Sequence, residues 1–207
     1  MQGSQDGPGA GQLSLRRLER VSDIVHAVAL LALLATVGFI PLGVTNEEAT
    51  SLVLDQIEPW IGFVVGFLII GYYWISHQEY FSYNIGTDKG HTWLELLYLV
   101  GIATMPLGNQ AMAVLPTSYA AMVVVSLEIA FVGIMQYFAW MYATKNDRLV
   151  PPGSLDPARR SEMGRAALLM PVAAVLGAIA GYFYPPLWYV VLIVGPVALS
   201  ARKKSST

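Results

Sequence analysis

The side chains able to do chemistry in this chain sit inside stretches that are otherwise apolar. Ser22, Asp23 and His26 open one such stretch, Trp74, His77 and Glu79 close the next, and Trp93 and Glu95 begin a third. Ionisable groups are costly in a bilayer, so each calls for a partner. As a structural latch, Arg17 or Arg20 neutralises Asp23, and His77 donates a hydrogen bond to Asp23 or Glu95. Buried charges persist when they are paired. As a metal site, Asp23, His26, His77 and Glu95 would suit zinc or iron. No H-E-x-x-H or E-x-x-H spacing accompanies them, so the latch is the expected role and no metal or other cofactor is expected. His91 reads as a loop histidine. Glu128 stands alone near the middle of a fourth stretch, where an acid can carry protons. Its structural reading is a protonated carboxyl hydrogen-bonded to a neighbouring helix. His26 and Glu128 are the candidate proton-sensitive groups.

These residues need helices to position them. Apolar runs cover roughly 21–43, 59–81, 92–115, 118–143, 165–184 and 186–200. A spanning helix needs ~20 mostly apolar residues; the first five runs reach that length and the sixth is short. Only 13% of residues are charged, against about 25% in soluble domains. The fold class expected is therefore all-α, a polytopic membrane protein with six transmembrane helices per chain. The first run is too long for a cleavable signal peptide, and further spans follow it. Without cysteine there is no disulfide, thiolate nucleophile or Cys-ligated metal. Three regions are expected: a disordered tail over 1–13, a six-helix domain over 14–201, and a basic tail over 202–207. The connection 145–163, with Pro151, Pro152, Gly153 and Pro157, reads as an irregular linker. Pro106 and Pro171 should bend or break their helices. Gly62/Gly66 and Gly177/Gly181 form G-x-x-x-G pairs that permit close helix approach.

Charge sets the orientation. All 12 Lys and Arg residues precede the first run or fall in the second-to-third connection, the fourth-to-fifth connection or the C-terminal tail. Cytoplasmic loops hold such an excess, which predicts a multi-pass cell-membrane protein with both termini in the cytoplasm. The first external loop instead gathers Glu47, Glu48, Asp55 and Glu58, either a solvated loop or an acidic vestibule that concentrates cations. No nucleic-acid partner is expected.

The first run also bears an apolar stripe at helical spacing, Ile24, Val28, Leu31 and Ala35, with Gly38 beyond it. Such a stripe by itself is core or lipid contact.

Arg17-Leu-Glu-Arg-Val21-Ser22-Asp23 resembles the R-x-x-x-F-S-D signature that opens the first helix in the family of transmembrane protein 175, the endolysosomal potassium channel. Tyr73-Trp74-Ile75-Ser76-His77, with Phe81 beyond, is similar to the family's Y-W-x-x-H…F segment. Asp88, Trp93, Leu96, Leu97 and Pro106 follow its third-helix pattern in order. The resemblance covers about residues 17–110, and its prokaryotic branch is the nearer. It implies a homotetramer around a central pore lined by the first helix, permeated by monovalent cations, potassium above all. It also implies a packing network of Arg17, Ser22, Asp23, Trp74 and His77, with Glu95 where the family has Asn. The implied constriction is Val28, with Ile24, Leu31 and Ala35 as further pore-lining positions. Leu31 replaces a common Thr and Ala35 a bulkier residue, so the narrowest point lies at Val28 or Leu31.

No T-V-G-Y-G carbonyl filter occurs in the chain. An apolar ring supplies no ligands for a stripped ion, so selectivity would follow the ease with which hydration water is shed. Such a ring can also gate by dewetting. The function expected is thus a cation channel and not an enzyme. The alternative is a proton- or metal-coupled transporter using Glu128 or the Asp23–His26–His77–Glu95 group. A membrane enzyme or haem protein with histidine ligands is a third class.

Overall fold

A computed structural model of the chain describes residues 10–38 and 43–204, with side chains over 14–38 and 43–194. The expected tails therefore lie largely outside the described residues, as does the end of the first apolar run. The regular structure described is helical throughout. Helix α1 (Ala10–Ala32) continues into a 3-10 turn (Leu33–Thr36). Then come α2 (Asn46–Asp55), α3 (Ile57–Phe81), α4 (Lys89–Val114) and α5 (Tyr119–Thr144). Helices α6 (Pro157–Ala167), α7 (Leu169–Phe183) and α8 (Pro185–Lys204) complete the chain.

Four helical stretches among the described residues, 57–81, 89–114, 119–147 and 157–183, are long and apolar enough to cross a membrane, and Pro185–Val194 is a shorter apolar helix. Helix α1 is not in that set, since its first half, from Ala10 to Asp23, is largely polar. The expected count of six spans is thus four by length and composition.

The helix starts follow local chemistry. Thr45 and Glu48 form a reciprocal capping box on α2, so part of the expected external loop is helical. Asp88 caps α4 through the His91 N–H at 2.9 Å, and Ser118 caps α5. Proline at the first position of α6 needs no hydrogen bond there and has its φ already set. The linker expected over 145–163 therefore ends at Asp156. What remains of it is not loose. Leu149, Val150 and Leu155 are buried, and the Ile85 N–H donates to the Leu149 carbonyl at 2.8 Å. Asn146 and Asp147 turn the chain with φ of 56° and 53°, a left-handed conformation that Asn and Asp tolerate best after glycine.

The two prolines behave differently. Pro171 has no N–H to offer the Ala167 carbonyl, and the helix breaks at Leu168, between α6 and α7. Pro106 lies within α4, which runs through it as one helix. Helix α4 packs on α5, α5 on α7 and α7 on α8, while α1 lies against α3 and α4. The main core includes Leu33, Ile70, Tyr73, Tyr98, Ile102, Met122 and Trp188. A second cluster of Tyr80, Trp140, Val150, Leu155 and Met163 closes the end that carries the cationic loops. One glycine of each pair sits at a close approach: a Cβ at Gly66 would come 2.9 Å from Asn109 Oδ1, and one at Gly181 would come 3.1 Å from Trp188 Cβ.

Candidate functional site

Helix α1 divides into two faces of opposite character. Ser22, His26, Ala29 and Leu33, spaced three to four residues apart, are at most 2% exposed against α3 and α4. Ile24, Val28 and Leu31 are 62%, 58% and 67% exposed, and Ala35 is exposed beside them. A helix buries one stripe against its neighbours and turns the other away. Here the outward stripe is apolar from Ile24 to Ala35, and the polar groups that would ordinarily face water point inward.

Those inward groups form a connected network. The Ser22 carbonyl accepts from Nδ1 of His26 at 2.8 Å, which places a proton on that nitrogen. Nε2 of His26 then faces the Tyr98 hydroxyl at 3.0 Å. That hydroxyl also lies 3.2 Å from the Tyr73 carbonyl. The Ser22 hydroxyl is 3.3 Å from Nδ1 of His77, whose Nε2 is 2.9 Å from Glu95. The other Glu95 oxygen lies 3.4 Å from Nε2 of His91, and Thr87 Oγ1 is 3.0 Å from Nδ1 of that ring. Hydrogen-bonding groups from α1, α3 and α4 thus follow one another without a break. His77 also stacks on Tyr98, with ring centroids 4.9 Å apart. Every member but Thr87 is buried. Such networks rigidify a core when each member is satisfied.

The structure gathers the predicted residues selectively. Ser22, His77, Glu95 and His26 meet in the interior. Asp23 and Trp74 meet nearer the surface, where the Trp74 indole N–H donates to Asp23 at 3.0 Å and Gln78 donates to the same oxygen. Arg17 and Arg20 are exposed, and among the described residues neither forms an ion pair with Asp23. The expected cationic partner is replaced by two neutral donors. His91 is not a loop residue: it lies in the first turn of α4, 1% exposed. His91, Tyr98 and Gln78 were absent from the predicted site. Their signal was spacing, since His91 and Tyr98 flank Glu95 at one helical turn on either side, and Gln78 follows Trp74 by one turn.

No group of three or more His, Cys, Asp or Glu residues among those described has the geometry to hold a metal ion. Glu128 lies on α5, apart from the network, with Oε2 buried and without a hydrogen-bond partner among the described residues. Of the external acids, Glu48 is taken up by its capping box. The Thr45 N–H and hydroxyl hold its carboxyl below the usual range. Asp88, at the opposite end, is also held low. Burial alone would raise it, but the His91 N–H, the Tyr142 hydroxyl and the Arg148 guanidinium outweigh that effect.

Comparison with known proteins bears on the same region. Residues 17–106, which contain the outward stripe and the network, match the family model described as endosomal/lysosomal potassium channel TMEM175. A potassium channel of Streptomyces collinus is 28% identical over 156 residues, covering 73% of this chain and 75% of that one. The crystal structure of a lysosomal potassium-selective channel TMEM175 homolog from Chamaesiphon minutus matches 92% of this chain and 98% of its own, with a TM-score of 0.77 at 19% identity. A variant of the potassium channel MtTMEM175, in complex with a nanobody–MBP fusion, matches with a TM-score of 0.62 at 17% identity. At those identities the structural likeness speaks for the fold alone, whereas the family model and the Streptomyces relative speak for the sequence. Its motifs, the family-model match over residues 17–106 and its fold agree: the chain is similar to the TMEM175 channels in sequence over that region and in fold over most of its length.

Proposed function

We propose that this chain is one subunit of a potassium-permeable cation channel in which α1 lines a central pore. The observation that carries the reading is the reversed polarity of α1: an unpartnered apolar stripe outside, with Ser22 and His26 hydrogen-bonded inside. A helix that keeps an apolar ring at a fixed radius needs such an anchor. The relatives are named as potassium channels, not as enzymes, which agrees with this reading.

Four copies bring four α1 stripes together, with Val28 or Leu31 at the constriction and Ile24 and Ala35 as flanking layers. Conduction past an apolar ring favours the ion that loses water more readily, and closure follows when the ring dewets. In this reading helix α8 and the apolar part of α1 serve as the remaining two of six crossings, both termini lie in the cytoplasm with the cationic loops, and the acids of α2 face the opposite mouth. Arg17, at the cytoplasmic end of α1, forms no ion pair among the described residues and is exposed toward a neighbouring subunit or lipid phosphate.

Single-channel recording on the reconstituted protein, in symmetric and bi-ionic potassium/sodium solutions, tests the reading. Ohmic currents whose size or selectivity changes in Val28→Ala or Leu31→Ala are expected. A saturable, proton-linked flux abolished by Glu128→Gln would instead mark a coupled transporter.

A further inference from the structure

Behind α1 lies a cavity of about 30 Å³ that the conduction reading does not use. It lies between α3, α4, α5 and α8, with Leu33 bordering it from the end of α1, and Glu128, Gly62, Met105, Asn109, Trp188 and Tyr189 are among its lining residues. Oε2 of Glu128 is buried and has no hydrogen-bond partner among the described residues. The carboxyl is seated against Gly108 of α4, where any Cβ would run into Oε2. Glycine is thus what lets the acid group fit at that helix crossing.

What the cavity can hold follows from its size and lining. A buried polar atom without a partner is costly, and a bare buried carboxylate without a counter-charge costs far more. Among the described residues, Tyr189 of α8 is the other titratable side chain in the lining, and no Lys, Arg, His or Asp lines the cavity beside the carboxyl. The volume exceeds the ~10–15 Å³ that one water requires. It falls far below the ~300–1,000 Å³ of sites for organic ligands. The space therefore suits one small polar molecule and no larger guest.

The lining also has a route to α1. Nδ2 of Asn109 donates to Oγ1 of Thr36 at 3.2 Å, and the Thr36 hydroxyl donates to the Leu33 carbonyl at 2.7 Å. Thr36 ends the 3-10 turn that finishes α1, and Leu33 itself borders the cavity. We propose that this cavity is a proton- and water-binding site, in which Glu128 is held as the neutral acid and one water joins its carboxyl to the amide of Asn109. The acid O–H donates to the water, and the water donates to Oδ1 of Asn109. Occupancy of the site is thereby tied, through Thr36, to the end of α1 remote from the histidine network.

Infrared difference spectroscopy on the full chain in lipid vesicles tests this, comparing acid with alkaline buffer and ordinary with isotopically labelled water. A carboxylic-acid carbonyl band that disappears in Glu128→Gln is expected. An isotope-sensitive O–H band of internal water that disappears in Gly62→Ala is expected as well. The added methyl in Gly62→Ala enters the cavity wall with its nearest neighbour, Asn109 Oδ1, at 3.8 Å, so the variant takes up the water's space without a clash. This second variant decides the matter if Glu128→Gln does not fold. Absence of both bands from the unaltered chain, an acid band unchanged in Glu128→Gln, or a water band that persists in Gly62→Ala overturns the proposal. None of these readouts requires ion flux, so they stand apart from the test of conduction.

Discussion

Nε2 of His77 lies 2.9 Å from the carboxylate of Glu95, with both side chains about 5% exposed, and this pair joins α3 to α4 directly behind α1. Through Ser22 the same imidazole also holds α1. One buried ring thus sets the mutual position of three helices, and the orientation of the apolar stripe depends on it.

Removing the acceptor from that arrangement should loosen the whole end of the bundle. Glu95→Leu leaves ring nitrogens of both His77 and His91 without their partner, at roughly 1–3 kcal/mol for each buried group left unpaired. Glu95→Gln keeps one acceptor oxygen and should lose less. Thermal melting of the purified protein in detergent reads the order: unaltered chain, then Gln, then Leu. Equal stability of all three would show that the network does not bear on folding.

Leu31 and Leu33 are two residues apart and face opposite ways, one 67% and the other 0% exposed. Leu33→Ala removes a core side chain and should cost about 2–5 kcal/mol. Leu31→Ala should leave melting nearly unchanged while altering single-channel conductance. The two measurements on the two variants form a cross; a large stability loss in Leu31→Ala, with conductance intact, is the pattern that contradicts a pore-facing Leu31.

Asp23 is held by two neutral donors, Trp74 and Gln78, on the same oxygen. Trp74→Phe or Gln78→Leu alone should be mild, at about 0.5–1.5 kcal/mol. Together they free the carboxylate, so their effects should exceed the sum of the singles. A double-mutant cycle on melting temperature measures the coupling, and strict additivity would place Asp23 outside any shared network.

Asp88 gives the chain a pH-dependent fastening at the start of α4. Its folded carboxyl is held below the ordinary value of 3.8. A depressed acid stabilises the fold fully above its unfolded value, and that contribution disappears as pH falls through the lower folded one. Asp88→Ala should cost about 1 kcal/mol at neutral pH. It should also flatten the fall in melting temperature below pH ~4 relative to the unaltered chain. Parallel curves for the two proteins would count against it.

Patterns that depend on neighbours along the chain were readable from residues alone. The runs that became α3, α4 and α5 declared themselves by length and apolarity, since a bilayer leaves a helix no other choice. The break caused by Pro171 followed from local backbone limits, though it appears three residues earlier, at Leu168. The spacing of Ile24, Val28, Leu31 and Ala35 was equally visible. Which way that stripe points was not, because an apolar face reads the same whether it meets lipid, core or a pore.

Only the tertiary structure decided the partners of the polar groups. Charge matching suggested arginine for Asp23, yet indole and amide donors reached it first. His91 read as a loop residue and became the second imidazole on Glu95, because Asp88 starts α4 early enough to turn that ring inward. Helix α2 and the buried connection before α6 escaped notice, since their stability comes from a reciprocal cap and from contacts with distant helices. Hydrophobicity along a chain states what must leave water, whereas the pairing of a buried hydrogen-bonding group is settled in space, by whichever donor the packed helices bring within 3 Å or so.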